Sequence, residues 1–394
     1  MPTTTAARVR HHSGPAVLGL GFRPFFLGGA IWAALAMLVW LLVLTGLLPL
    51  PIAMGPVDWH VHELLYGYLP AIVAGFLLTA VPNWTGRLPV TGGPLLALVA
   101  VWLVGRLAIA ASLWLGPWLA ALLDLAFLAT LILVIARELV AGANKRNFPV
   151  LLLVSLLLLG NAAFHYEVAV QGGAFYGTRI GIAAIILLIM LIGGRIVPSF
   201  TRNWLAKRDA GRLPASLGLY DGFAIVFAGL ALLSWSLGPD TLITAVACGI
   251  AGVLHLGRLA RWAGDRTLAE PLVTILHVGY AFVPLGFLLV AASHAWPHVV
   301  SWVAPIHAWT AGGIGTMTLA VMTRASLGHS GRALTADRWT SLIYLLVITA
   351  AVARILAGTS LGSTGLQHLA AAAWVLAFAG FSIHYWPVLT KPRS

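Results

Sequence analysis

The chain has 394 residues, of which 60% are hydrophobic and only 9% charged, against about 25% charged in a soluble domain. A water-soluble fold of this length cannot cover so much apolar surface, so lipid is the solvent and the backbone must close its hydrogen bonds within helices or a barrel. The net charge of +12 is scattered singly through short loops with no long basic stripe, which argues against nucleic acid as a partner.

The apolar runs are roughly twenty residues long and do not alternate, so they read as helices and not as barrel strands. In chain order they cover 25–48, 62–81, 94–115, 117–140, 148–170, 178–200, 218–237, 240–262, 270–293, 300–323, 339–360 and 365–387. Trp59, Trp84, Trp118, Trp204, Trp302, Trp339 and Trp386 stand near their ends, as interfacial aromatics do. Gly116-Pro117 separates the third run from the fourth. The expectation is an all-α polytopic membrane protein of about 12 transmembrane helices: a single transmembrane domain over 21–388 between tails 1–20 and 389–394. The first fourteen residues have no cleavable signal pattern, so the first apolar run is expected to be a retained span. Cys248 is the only cysteine, which excludes an intrachain disulfide and thiolate clusters.

Basic residues alternate in side. Arg8, Arg10 and Arg23 fall on one side with Arg87, with Arg137, Lys145 and Arg146, and with Arg202, Lys207, Arg208 and Arg212. Arg258, Arg261, Arg266, Arg324, Arg332, Arg338, Lys391 and Arg393 follow on that same side. The positive-inside rule then places both termini in the cytoplasm. Arg106, Arg179, Arg195 and Arg354 fall elsewhere. Arg179 and Arg354 lie near outer ends and can snorkel. Arg106 and Arg195 lie deep, where an ion pair or a cofactor carboxylate is needed, and Asp124 is the expected partner of Arg106.

A short internal echo joins Ala80-Val81-Pro82-Asn83-Trp84-Thr85 on the second span to Ile196-Val197-Pro198-Ser199-Phe200-Thr201 on the sixth. The tenth ends on the poorer match Val321-Met322-Thr323-Arg324. Spans 2, 6 and 10 would suit three sets of four helices.

Thirteen histidines outnumber eleven acids. Neutral imidazole enters lipid at lower cost than a carboxylate and is the commonest metal ligand. The densest cluster is Trp59-His60-Val61-His62-Glu63. Residues two apart point about 200° apart on a helix, so His60 and His62 bind one metal only if His60 leaves the regular helix; otherwise His62 faces inward and His60 outward. His165 and His307 lie at similar outer depth on spans 5 and 10, and with His60 and His62 they are the candidate metal ligands. Glu63 and Glu167 are candidate proton carriers. His255 and His277, on adjacent antiparallel spans, are either paired axial ligands or a hydrogen-bonded pair. Arg23 is a candidate for a cofactor propionate or a lipid phosphate, and Arg195 for a cofactor carboxylate. Small residues after His307, Ala311-Gly312-Gly313-Ile314-Gly315, permit close helix packing or a flat macrocycle. No Walker A loop, zincin motif, nucleophile elbow or Cys-x-x-Cys-His occurs.

An ordered set of blocks resembles the NnrS family of bacterial membrane proteins. It comprises Gly21-Phe22-Arg23-Pro24-Phe25-Phe26, Trp59-His60-Val61-His62-Glu63, Ala80 to Gly86, Pro198-Ser199-Phe200-Thr201-Arg202-Asn203-Trp204, Leu276-His277-Val278-Gly279-Tyr280, and His307 through Gly315-Thr316-Met317 to Leu327-Gly328-His329-Ser330-Gly331-Arg332. Val61 is the one departure, where many relatives carry a smaller residue. His60, His62, Glu63, His277, His307 and His329 match family motif positions. The resemblance implies a protein associated with haem and copper and linked to nitric oxide stress and denitrification. Haem b and copper are the expected cofactors, nitric oxide the expected small-molecule ligand or substrate, and a quinol or cytochrome the expected electron donor. The layout, with His62 on span 2 and His307 on span 10, is also similar to the catalytic subunit of haem–copper oxidases. This chain lacks that group's histidines on helices 6 and 7, so its copper site is not carried over.

Three readings stay open at this level: a haem protein reducing or oxidising nitric oxide, a transporter of a small solute, metal or haem, and a non-catalytic sensor or scavenger of nitric oxide.

Overall fold

Proline and glycine mark many of the helix boundaries. Pro56, Pro117 and Pro271 begin helices, where a missing N–H costs nothing. Gly86 and Gly172 end helices in the left-handed conformation at φ 70° and 81°. In the computed structural model, which describes residues 14–208 and 211–392, these signals delimit α1 Phe22–Leu44, α2 Pro56–Thr85, α3 Gly93–Ala110, α4 Pro117–Ala141, α5 Phe148–Gln171 and α6 Tyr176–Leu205. There follow α7 Leu219–Leu237, α8 Leu242–Ala260, α9 Pro271–Ala295, α10 at 303–329, α11 Arg338–Leu356 and α12 Thr364–Thr390. His11, His12, Arg8, Arg10 and Arg393 lie outside the described residues.

Eleven of these helices are long and apolar enough to cross a membrane. The protein is therefore an all-α polytopic membrane protein. The eleven do not include α10, whose glycines, threonines and His307 dilute its hydropathy although it is helical throughout. Helices α2 and α6 extend well beyond the apolar runs that announce them. Helix α2 starts at Pro56 and not at 62, and α6 runs to Leu205 and not to 200. Their ends are polar and aromatic, which hydropathy reads as loop.

Contacts divide the described chain into two compact units. Unit 1 holds residues up to Gly181 with Ala325–Arg332 and the chain from Phe381, and unit 2 holds Ile182–Arg324 and Ala333–Gly380. In unit 1, Ala36, Trp59, Ile109 and Ala120 form one buried apolar cluster. In unit 2, Phe282, Ala304, Ala308, Ala351 and Ile355 form another. Unit 1 is tied at its ends by Arg23. This guanidinium is 3% exposed and donates from Nη1 to the carbonyls of Ala16 at 3.1 Å and Lys391 at 2.6 Å. Through Nη1 it is thus a main-chain clasp.

Three helices widen locally from α to π geometry: α2 at Glu63–Tyr68, α6 at Ile189–Gly193 and α10 at Ala308–Gly315. These are the same helices, four apart, that share the sequence echo. A π turn carries one residue more than the α turn it replaces, and such turns are frequent at functional sites.

Candidate metal centre

His62 is the residue immediately before the π segment of α2, and His307 holds the same place before that of α10. At this junction α2 buries two consecutive polar residues, His62 and Glu63, both at 0% exposure. Gly67 makes room for what they meet. A Cβ there would fall on the Arg106 guanidinium and 2.6 Å from Glu63 Oε2. The Gly67 carbonyl accepts from Trp102 Nε1 at 2.9 Å.

Five helices of unit 1 contribute to the cluster. Arg106 of α3 donates from Nη1 to Glu63 Oε1 at 2.7 Å and Oε2 at 2.6 Å, and from Nη2 to Asp124 Oδ1 on α4. Trp32 Nε1 of α1 donates to Glu63 Oε2 at 2.7 Å. Asp124 Oδ2 lies 2.7 Å from Asn161 Nδ2 and 3.0 Å from His165 Nε2, both on α5, and 3.2 Å from His62 Nε2. The expected pairing of Arg106 with Asp124 is thus present, with Glu63 as a second acceptor.

The charges do not balance. With both carboxyls ionised, Glu63 and Asp124 bring two negative charges against one on Arg106, and all three are at most 3% exposed. Both nitrogens of His62 face carboxylate oxygens, Nδ1 at 3.1 Å from Glu63 Oε1 and Nε2 at 3.2 Å from Asp124 Oδ2. A neutral imidazole can donate from only one nitrogen and turns a lone pair toward the other oxygen. One further positive charge would neutralise the cluster, as a proton on the ring or on a carboxyl, or as a metal ion in place of a proton.

The donor atoms suit an ion. His62, His165 and Asp124 each offer one ligand atom, all within 4.8 Å of one another. Ligands at about 2.0–2.1 Å from a tetrahedral ion stand roughly 3.3–3.5 Å apart, close to the 3.2 and 3.0 Å found from the two imidazoles to Asp124 Oδ2. Two imidazoles and one carboxylate match iron, copper or zinc and leave coordination positions open. Glu63 on His62 Nδ1 and Arg106 on Asp124 Oδ1 are the outer partners such ligands use to fix their orientation.

Other expected site residues lie apart from this cluster. His60 turns the other way and stacks on Trp40, with ring centroids 4.1 Å apart, which is the outward-facing alternative for that residue. Glu167, expected as a proton carrier, accepts instead from the backbone N–H groups of Phe175, Tyr176 and Gly177, each at 2.9 Å. It clamps the turn into α6. His329 packs its ring 5.7 Å from Phe22.

Unit 2 holds the remaining candidates. His307 Nδ1 donates to the Val303 carbonyl at 2.9 Å. Arg195 is half-buried just beyond the π segment of α6. His277 Nε2 donates to Thr201 Oγ1 at 2.8 Å, and its Nδ1 has no hydrogen-bond partner among the described residues. His255 is held by other groups, with Nδ1 2.8 Å from the Tyr280 hydroxyl and Nε2 donating to the Ala224 carbonyl at 3.2 Å. The two histidines are therefore not a hydrogen-bonded pair.

The sequence pattern missed a second buried cluster. Arg258, counted above only by its side, is fully buried. It donates to Asp221 Oδ1 at 2.8 Å, to the Tyr280 hydroxyl at 2.7 Å and to the Met190 carbonyl in the π segment of α6 at 2.8 Å. Asp221 near the start of α7 was the available signal, since a carboxylate at that place needs a cation.

The family model described as NnrS protein matches residues 16–393. The chain belongs to the NnrS family. The match takes in His62, Asp124, His165 and all three π segments, so the centre and its framework lie within the NnrS region. NnrS membership is consistent with a protein related to nitric oxide. A comparison with curated proteins returns no match.

Proposed function

We propose that this NnrS protein is a nitric-oxide-handling redox protein of the bacterial inner membrane, with a copper ion held by His62, His165 and Asp124. The observation that carries this reading is the charge deficit among donor atoms already spaced as ligands. Copper would supply one-electron redox chemistry and a site of affinity for nitric oxide.

The chain's own residues have separate tasks. Burial keeps bulk water off the three ligands. Glu63 orients His62 through Nδ1, and Arg106 fixes Asp124 and compensates part of its charge. Nitric oxide is small and apolar and can approach from lipid without a polar channel. The NnrS resemblance adds haem b, and His307 suits its ligation: the Nδ1–H bond to Val303 sets the tautomer that metal-bound imidazoles use.

The test is metal analysis and an optical spectrum of the purified protein before and after nitric oxide. About one copper per chain is expected, lost in His165→Ala and Asp124→Asn, with haem absorption lost in His307→Ala. Copper content unchanged by both ligand variants would overturn the metal assignment. Solute uptake into vesicles by protein free of metal and haem would favour the transport reading instead.

A further inference from the structure

A crevice of about 740 Å³ opens in unit 1 at the ends of α2, α3 and α4, within the size range of small-molecule sites. No histidine lines it. Its polar rim is Arg87, Arg137 and Glu138, and its apolar wall includes Leu88, Val101 and Val134.

Glu138 is nearly buried and serves both arginines. Oε1 accepts from Arg137 Nε at 2.9 Å and Nη2 at 2.7 Å, and Oε2 accepts from Arg87 Nε. Two cations on one anion leave an excess of one positive charge. They also leave Arg87 Nη1 and Nη2 and Arg137 Nη1 without hydrogen-bond partners among the described residues. The arginines remain reachable, with side chains 43% and 68% exposed. From Arg137 the wall runs back along α4 through Val134 to Thr130, two turns or about 10 Å, and Ala97, Leu98 and Val101 of α3 line it as well. An anionic head and a hydrocarbon tail therefore both find their counterpart here, in the order a lipid presents them.

We propose that this crevice is a specific site for one anionic glycerophospholipid of the phosphatidylglycerol class, its phosphodiester on the free guanidinium N–H groups and an acyl chain along α3 and α4. Bidentate guanidinium is the group suited to phosphate oxygens. The site is independent of the metal centre.

The test is native mass spectrometry of the delipidated full-length protein with added phosphatidylglycerol, phosphatidylethanolamine of the same chains, or a neutral isoprenoid quinone, with inorganic phosphate as the headgroup control. One phosphatidylglycerol per chain should be retained at least tenfold better than either alternative. Each arginine near an anionic headgroup is worth about fivefold, so Arg87→Gln with Arg137→Gln should weaken retention about 25-fold. Should that variant not fold, Val101→Trp, which fills the apolar wall without changing charge, should displace the lipid. Equal retention of both phospholipids, preference for the quinone, or retention of inorganic phosphate alone would overturn the proposal. So would retention that neither folded variant changes.

Discussion

His62 and Glu63 are neighbours in the chain, yet both side chains are wholly withdrawn from solvent and meet at 3.1 Å. Consecutive residues of a helix normally diverge by about 100°. Here the helix changes gauge between them, and α1, α3, α4 and α5 all present polar groups to the place where it does.

Glu63→Gln is expected to weaken metal retention while leaving the fold intact. Glutamine keeps the shape and can still accept from Trp32 and Arg106. With it, Asp124 and Arg106 balance, and the charge deficit that favours a cation is gone. Loss of such an outer partner lowers metal affinity roughly 10–100-fold. Competitive chelation followed by metal analysis measures it.

Arg106→Met should be the most damaging single change in unit 1. It leaves Glu63 and Asp124 buried with no guanidinium between them. Breaking a buried ion pair from one side costs about 3–5 kcal/mol. Thermal unfolding in detergent should show a lower midpoint, and adding Glu63→Gln should recover part of it. A double variant no better than the single one would mean the two side chains are not coupled.

Glu167→Gln tests a structural role. One carbonyl oxygen would replace the two carboxylate oxygens that receive three N–H groups. A loss of about 1–3 kcal/mol is expected, with faster proteolytic nicking between α5 and α6 and unchanged metal content. A loss of metal with normal stability would return Glu167 to the site.

Asp265 gives the pH dependence of an inter-helix loop. The Arg212 guanidinium holds its carboxyl below the usual aspartate range. A depressed folded-state value contributes stability above the unfolded value, and that contribution is lost as pH falls through the folded one. The pair is exposed, with side chains 53% and 65% accessible, so solvent and salt screen it. Arg212→Gln should therefore leave the unfolding midpoint near its original value at neutral pH, and acidification to pH 3 should narrow even that small difference.

Helix positions were legible in the sequence because long apolar runs have one meaning in lipid, and they failed where helices end in polar or aromatic residues, as at Asp58-Trp59 and Asn203-Trp204. His62 and His165 were legible as a dense imidazole signal at matching depth. Glu167 and His60 stand outside the cluster for one reason. Each lies two residues from its histidine, hence about 200° around the helix, and cannot enter the same cluster. Asp124 was visible only as a partner for Arg106. Its place between two imidazoles depends on how α2, α4 and α5 turn their faces, which no local pattern records. The burial of Arg258 was not legible because charge sidedness counts residues near helix ends and is blind to burial.

The π segment of α2 also makes the centre depend on chain length. One extra residue in that turn sets everything before it about 100° out of phase with a continuous α-helix. Deleting a single residue between 63 and 68 would keep His62, Asp124 and His165 yet swing His62 about 100° away from Asp124. Helix α10 carries the same offset directly after His307. An indel of one residue in either π segment would thus turn His62 or His307 away from its present neighbours, although neither residue has been replaced.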